Sequence, residues 1–215
     1  MNRGRKPEHC RESILEMGME LFDRKGYHGT GLKEILDACQ VSKGSFYNFF
    51  GSKEEFAIEI IRHFQSQAFE CWNLQADQPP GCHAARLRHK IETEIQTSQA
   101  HCFRMGSLLA NLSGEIGAAS DAFRHCIVSA THRILDALEQ DMLQCQQEGS
   151  VRTDISARAL AELIWNCWQG ALLRMQVEDS TAPLSTMVQL LWEQVLPPCP
   201  ANRLANSHDK DANAP

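Results

Sequence analysis

Seven residues between positions 30 and 53 offer what a sugar-phosphate backbone binds. They supply the hydroxyls of Thr30, Ser45 and Tyr47, the ammonium groups of Lys43 and Lys53, the Asn48 amide and, at Gly44, bare backbone. Phosphates are held by cations, hydroxyls and free N–H groups near helix starts. A glycine lets a second backbone approach closely. Small and polar side chains from Lys43 to Asn48 also suit a helix that enters the major groove of DNA. Phe46, Phe49 and Phe50, interleaved with them, are expected to hold that helix on its own core. Arg3, Arg5 and Lys6 form a cationic tip that could follow a groove or the phosphates and add salt-dependent affinity.

The elements that must position these groups are all helices. Period-2 alternation and Asn-Gly or Asp-Gly hairpin turns are missing, so the chain reads as all-α. Ile14, Leu15, Met17, Gly18, Leu21 and Phe22 make one stripe of a helix over 11–25, stopped by Gly26. A short helix over 32–38 follows, with Gly31 as N-cap and Leu32, Ile35 and Leu36 facing inward. Ser42 caps a third short helix, which Gly51 and Ser52 end. Ser52 in turn caps a long helix over 53–75, with Phe56, Ile60, Phe64 and Cys71 at helical spacing. Pro79-Pro80-Gly81 marks a boundary. Further helices are expected at 83–101, 104–113, 120–148, 156–177 and 184–196.

The expected organisation is a helix-turn-helix domain over 1–52, a connecting helix over 53–80, a helical body over 81–196, and a disordered tail over 197–215. Charge supports that division. The chain carries a net −6 at pH 7, yet residues 1–55 hold nine Lys and Arg against nine Asp and Glu, and the remainder twelve against eighteen. The acidic excess therefore belongs wholly to the second part, which it keeps off DNA.

Several function classes recede. No run approaches the roughly 18 to 20 apolar residues that cross a bilayer, and the start leads into no apolar signal core, so a cytoplasmic protein without a membrane partner is expected. The nine cysteines, at 10, 39, 71, 82, 102, 126, 145, 167 and 199, are scattered with no C-x-x-C pair, which argues against a disulfide framework and a structural zinc. No two of the nine histidines stand four apart, and neither metal nor cofactor is expected. An all-α enzyme is a remote alternative, since G-x-S-x-G, H-E-x-x-H and a phosphate loop are all absent.

The run Val41-Ser42-Lys43-Gly44-Ser45-Phe46-Tyr47-Asn48-Phe49-Phe50, followed by Ser52-Lys53-Glu54, closely resembles the recognition segment of the TetR family of bacterial repressors. That resemblance implies a dimeric repressor on a palindromic DNA operator, released by a small-molecule inducer, with the last two long helices paired across the dimer. Leu160, Leu163, Ile164, Cys167 and Ala171, and Val188, Leu191, Trp192 and Val195, are the stripes available for packing within the chain or on a twofold mate. Gly31 departs mildly from the family, standing where a Thr or Ser often caps.

Phe103-Arg104-Met105-Gly106-Ser107 through Ile116, and Trp165-Asn166-Cys167-Trp168-Gln169-Gly170 through Arg174, are similar to the acrylate- and electrophile-responsive, AcuR/NemR-like branch. In that branch a Cys commonly stands at the place of Ser107 and a Lys at that of Gln176. A hydroxyl is no thiolate nucleophile, and a neutral amide cannot lower a thiol pKa.

Trp72, Cys102, Phe103, Arg104, Ser107, Asn111, Trp165, Trp168 and Arg174 form the candidate ligand set, apolar with a few polar groups as pockets are. Arg104 and Arg174 could hold a small carboxylate or pair with Glu115 or Glu178. The alternative is a thiol-based redox or electrophile sensor, with Cys102, beside His101 and Arg104, as its best-placed cysteine.

Overall fold

The computed structural model describes residues 7–74, 81–101, 104–118 and 120–198, with side chains described for 11–70, 81–96, 108–118 and 120–198. The tail beyond 198 and the Arg3, Arg5, Lys6 tip lie outside them. Nine α-helices and no strand occur among the described residues: α1 Pro7–Gly29, α2 Leu32–Cys39, α3 Lys43–Phe50, α4 Lys53–Leu74, α5 His83–His101, α6 Arg104–Ile116, α7 Asp121–Gln147, α8 Ala157–Glu178 and α9 Ala182–Leu190. No described helix is long and apolar enough to cross a membrane, and no described group of three or more His, Cys, Asp or Glu could hold a metal ion.

Three boundaries differ from expectation for physical reasons. Gly26 does break α1, at φ 70° and ψ 177°, but a further turn runs on to Gly29. Gly114 does not stop α6, because nothing there requires a positive φ. The helix continues to Ile116, which is fully buried, and pauses at Gly117. The expected last helix over 184–196 starts at Ala182, is α-helical to Leu190, and widens into a π-helical turn over Leu191–Val195, closed by Leu196 N–H to Leu191 O at 2.8 Å.

The helices gather into two compact units that interleave along the chain, Met1–Leu74 with Arg104–His132, and Gln75–Phe103 with Arg133–Pro215. In the first unit α1 packs on α2, α4 and α6, and α3 packs on α4. Its core is aromatic. Phe56 of α4 has its ring centroid 4.7 Å from that of Phe50, 5.1 Å from Phe46 and 5.9 Å from Phe22, each pair edge-on as ring quadrupoles favour. Gly18 makes this possible, for an added Cβ would run into the Phe56 ring.

In the second unit α8 packs on α9, and α9 on α5. Leu160, Ile164 and Ala171 of α8 and Leu184, Val188 and Leu191 are buried within it. The Trp192 indole N–H donates to Ala84 O at 3.1 Å, and His83 reaches Asp141 at 2.9 Å through its ring and Glu148 at 2.6 Å through its N–H.

Candidate nucleic-acid interface

Two short helices and a tight turn present the polar residues. α2 starts at Gly31, extended at φ −78° and ψ 150° with no side-chain cap, and its buried residue is Ile35. Gln40 ends it in the left-handed region at φ 53°, a conformation that non-glycine residues adopt rarely. Val41 N–H then donates to Leu36 O at 3.1 Å, closing the turn. Ser42 caps α3 as its sequence implies, its oxygen accepting from Ser45 N–H at 3.1 Å. Ser52 caps α4 likewise, accepting from Glu55 N–H at 3.0 Å.

α3 divides cleanly. Phe46 and Phe50 are buried, while Lys43, Gly44, Tyr47 and Asn48 are exposed. Tyr47 shows 42% of its surface, with the Lys43 ammonium 5.9 Å from its ring centroid. Ser45 is half-buried and shares a 2.9 Å hydroxyl contact with Ser42. A Cβ at Gly44 would meet nothing nearer than Ser42 Oγ at 3.9 Å. The interior therefore does not demand glycine at this position, and the open space lies on the side that an outside backbone would approach.

Two of the seven residues are placed differently. Thr30 is fully buried, and its hydroxyl donates to Gly26 O at 2.7 Å. A side chain turned inward to satisfy the kinked end of α1 cannot reach a phosphate, so Thr30 leaves the surface set. Lys53 is half-buried: its ammonium donates to Tyr27 O at 2.6 Å and lies 4.1 Å from the Tyr27 ring centroid. Burial lowers its pKa, and Glu115 partly offsets that. Lys53 thus ties the start of α4 to the last turn of α1.

That joint gives Glu115, expected at most to pair with Arg104 or Arg174, a different role. Glu115 of α6 accepts from the N–H groups of Tyr27 at 2.5 Å and His28 at 3.2 Å, capping the turn that restarts after Gly26. Ser120 donates to Glu54 at 2.6 Å, and the Tyr27 ring meets Phe123 of α7 at 5.3 Å. Burial, with Glu54 beside it, raises the Tyr27 phenol pKa. No local pattern flags Glu115, whose partners lie 88 and 87 residues away.

Residues 14–60 match the family described as bacterial regulatory proteins, tetR family, and residues 84–191 match the tetracyclin repressor-like C-terminal domain. The chain belongs to the tetR family. The transcriptional repressor DhaR of Mycobacterium sp. (strain GP1) is 30% identical over 87% of this chain and 92% of its own. The transcriptional regulator AcuR of Cereibacter sphaeroides is 32% identical over 83% and 81%. Among solved structures, a regulatory protein TetR from Rhodobacter sphaeroides superposes with a TM-score of 0.78 at 29% identity, covering 87% of this chain and 98% of that one. With the Escherichia coli repressor NemR also similar, at 26% identity over 82% and 89%, the AcuR/NemR-like branch expected from the sequence is borne out.

Of the candidate ligand set in this tetR-family chain, the side chains of Trp72, Cys102, Phe103, Arg104 and Ser107 lie outside the described residues. Asn111 is half-buried in the first unit, and Trp165 and Trp168 are half-buried on α8 in the second. Arg174 is exposed and paired with Glu178 at 2.8 Å, one helical turn on, so its guanidinium is spent on the surface rather than turned toward an interior ligand. Burial raises the Cys126 thiol pKa and, with acidic neighbours, pushes Cys145 up to about 12, which leaves both as poor nucleophiles.

Proposed function

We propose that this chain is a transcriptional repressor that binds a DNA operator as a homodimer and is released by a small-molecule inducer. One observation carries the reading: α3 presents Lys43, Gly44, Tyr47 and Asn48 outward on a rigid base of Phe46, Phe50 and Phe56. Lys43 and Tyr47 suit phosphate, Asn48 suits a base edge or phosphate, and Gly44 leaves room for the DNA backbone. Ser45 assists at the rim, and Lys53 acts by holding α4. An operator of this kind locates the protein's work in the cytoplasm.

A twofold mate is supported by α8. Leu163, Asn166, Gly170, Leu173 and Val177 recur at spacings of three and four and are all exposed. This is the seam by which helices pair, and Gly170 allows close approach. The residues first considered for that role divide, since Leu160, Ile164 and Ala171 pack within the chain and Leu163 does not. A dimer is what spans two half-sites about one helical turn apart.

Release requires that the inducer bind the DNA-incompetent conformation more tightly, since equal affinity shifts nothing. Glu115 supports a route: a shift of α6 withdraws the cap from Tyr27 and His28 and loosens the turn that precedes α2.

Fluorescence anisotropy against the DNA upstream of its own gene tests the proposal. A site bound about a thousandfold or more tighter than scrambled DNA is expected. Weak, sequence-indifferent binding overturns it.

A further inference from the structure

Thr30 and Gln65 are the two polar side chains buried among the described residues, and the fold treats them in opposite ways. Thr30 has its acceptor in Gly26 O. Gln65, 5% exposed on α4, has an amide nitrogen with no acceptor among the described residues. Buried donors are almost always paired, because burial strips their water without return. Leucine would fill the same space without that cost, so the amide calls for an oxygen that the described residues do not supply.

Its surroundings say which oxygen. Gln65 follows Ile58 and Ile61 by seven and four residues, and all three are buried on one stripe. The Cys126 thiol of α7 donates to Ile58 O, and Ser120 to Glu54, so contacts advance along α4 and α7 in the same direction. The first turns of α4 therefore lie beside the start of α7, and Ile127 and Ala130 of α7 and Leu112 of α6 are buried in the same unit as Gln65. No cation is among the buried side chains described. A carboxylate placed here would lose its hydration with no opposite charge among the buried side chains described, a cost that one neutral hydrogen bond does not return. A carbonyl carries no such penalty.

We infer that Gln65 is the polar contact of the inducer site, its Nε2 donating to the carbonyl oxygen of an uncharged small molecule. This rests on the ligand response proposed above and names the chemistry that the site selects. Arg174, the earlier candidate for holding a carboxylate, takes no part.

The test uses the full chain and four probes of nearly one shape: butanone and propanamide as neutral carbonyls, propanoate as the anion, and 2-methylbut-1-ene without an acceptor. Binding is read without DNA, by calorimetry and thermal shift, so that a failure of operator binding and a failure of this inference are separable. The wild type is expected to bind butanone and propanamide about tenfold tighter than the alkene, the ratio that one hydrogen bond between neutral groups supports. Gln65→Leu should erase that preference while its own Tm, without probe, stays level or rises. Gln65→Glu should abolish carbonyl binding. Absence of a dose-dependent response to both carbonyls in the wild type overturns the inference, as does a carbonyl preference that survives in Gln65→Leu. Tighter binding of propanoate than of butanone overturns the neutral assignment. A lower Tm for Gln65→Leu marks the amide as structural and overturns it too.

Discussion

Replacing Glu115 by alanine should loosen the joint behind the recognition helix without touching any residue that faces DNA. The carboxylate accepts from two backbone N–H groups, Tyr27 at 2.5 Å and His28 at 3.2 Å, which are first-turn donors left orphaned by the break at Gly26. A lost cap of this kind costs about 1 kcal/mol. Because Glu115 is itself exposed, water recovers part of the loss, which argues for that figure rather than the upper end. The turn it caps also offers Tyr27 O to Lys53 at 2.6 Å, so freeing it loosens the first turn of α4 as well. If DNA binding needs the ordered joint, the same 1 kcal/mol appears as about a fivefold loss of operator affinity. Glu115→Gln keeps an acceptor and loses the charge, and should fall between wild type and alanine. Urea unfolding and operator anisotropy, run on all three proteins, give both numbers. An alanine variant that melts and binds like the wild type would refute the cap. One that melts earlier yet binds DNA unchanged would refute the coupling while leaving the cap intact.

Lys43→Gln should weaken binding to all DNA sequences alike and reduce the slope of log K against log salt by about 1, measured by anisotropy across a salt series. Gly18→Ala forces a methyl into the Phe56 ring and should destabilise the first unit by about 1–3 kcal/mol, seen as a lower urea midpoint. An unchanged midpoint would mean that α1 and α4 can part at no cost. The Cys145 thiol, raised in the fold from 9.0 to about 12, contributes stability that is fully present below pH 9 and is lost as pH rises toward 12. The Tm should therefore fall across that window more steeply in wild type than in Cys145→Ala, and parallel curves would contradict the shift. Leu163→Glu with Val177→Glu should convert a dimer to monomers in analytical ultracentrifugation while the melting curve of the protomer is retained.

The parts that chain-local physics determines are legible in the sequence. Ser42 and Ser52 each stand three residues ahead of an orphan N–H, and both cap as their type and place imply. Phe46 and Phe50 go inward because an eight-residue helix has only one face to bury. Thr30 departs from the expected surface set because its hydroxyl satisfies Gly26 O, a carbonyl that the kink in α1 leaves open.

Such demands are set by partners, and partners distant in sequence leave no periodic trace. Glu115 reads as one more exposed acid on an amphipathic helix, and Gln65 as one polar break in an apolar stripe. Yet the two have comparable standing in the proposed function, one fastening α6 to the DNA-binding helices and the other offering a buried donor on α4. Both lie in the unit that contains α1 to α4, which also takes in α6 and the start of α7. The expected boundary at residue 53 followed the order of the chain, whereas packing groups α3 with α6 and the start of α7. If the proposed ligand contact at Gln65 holds, a signal to α3 needs no second unit to carry it, only α4, whose first residue is held at Tyr27 and whose buried stripe bears the amide.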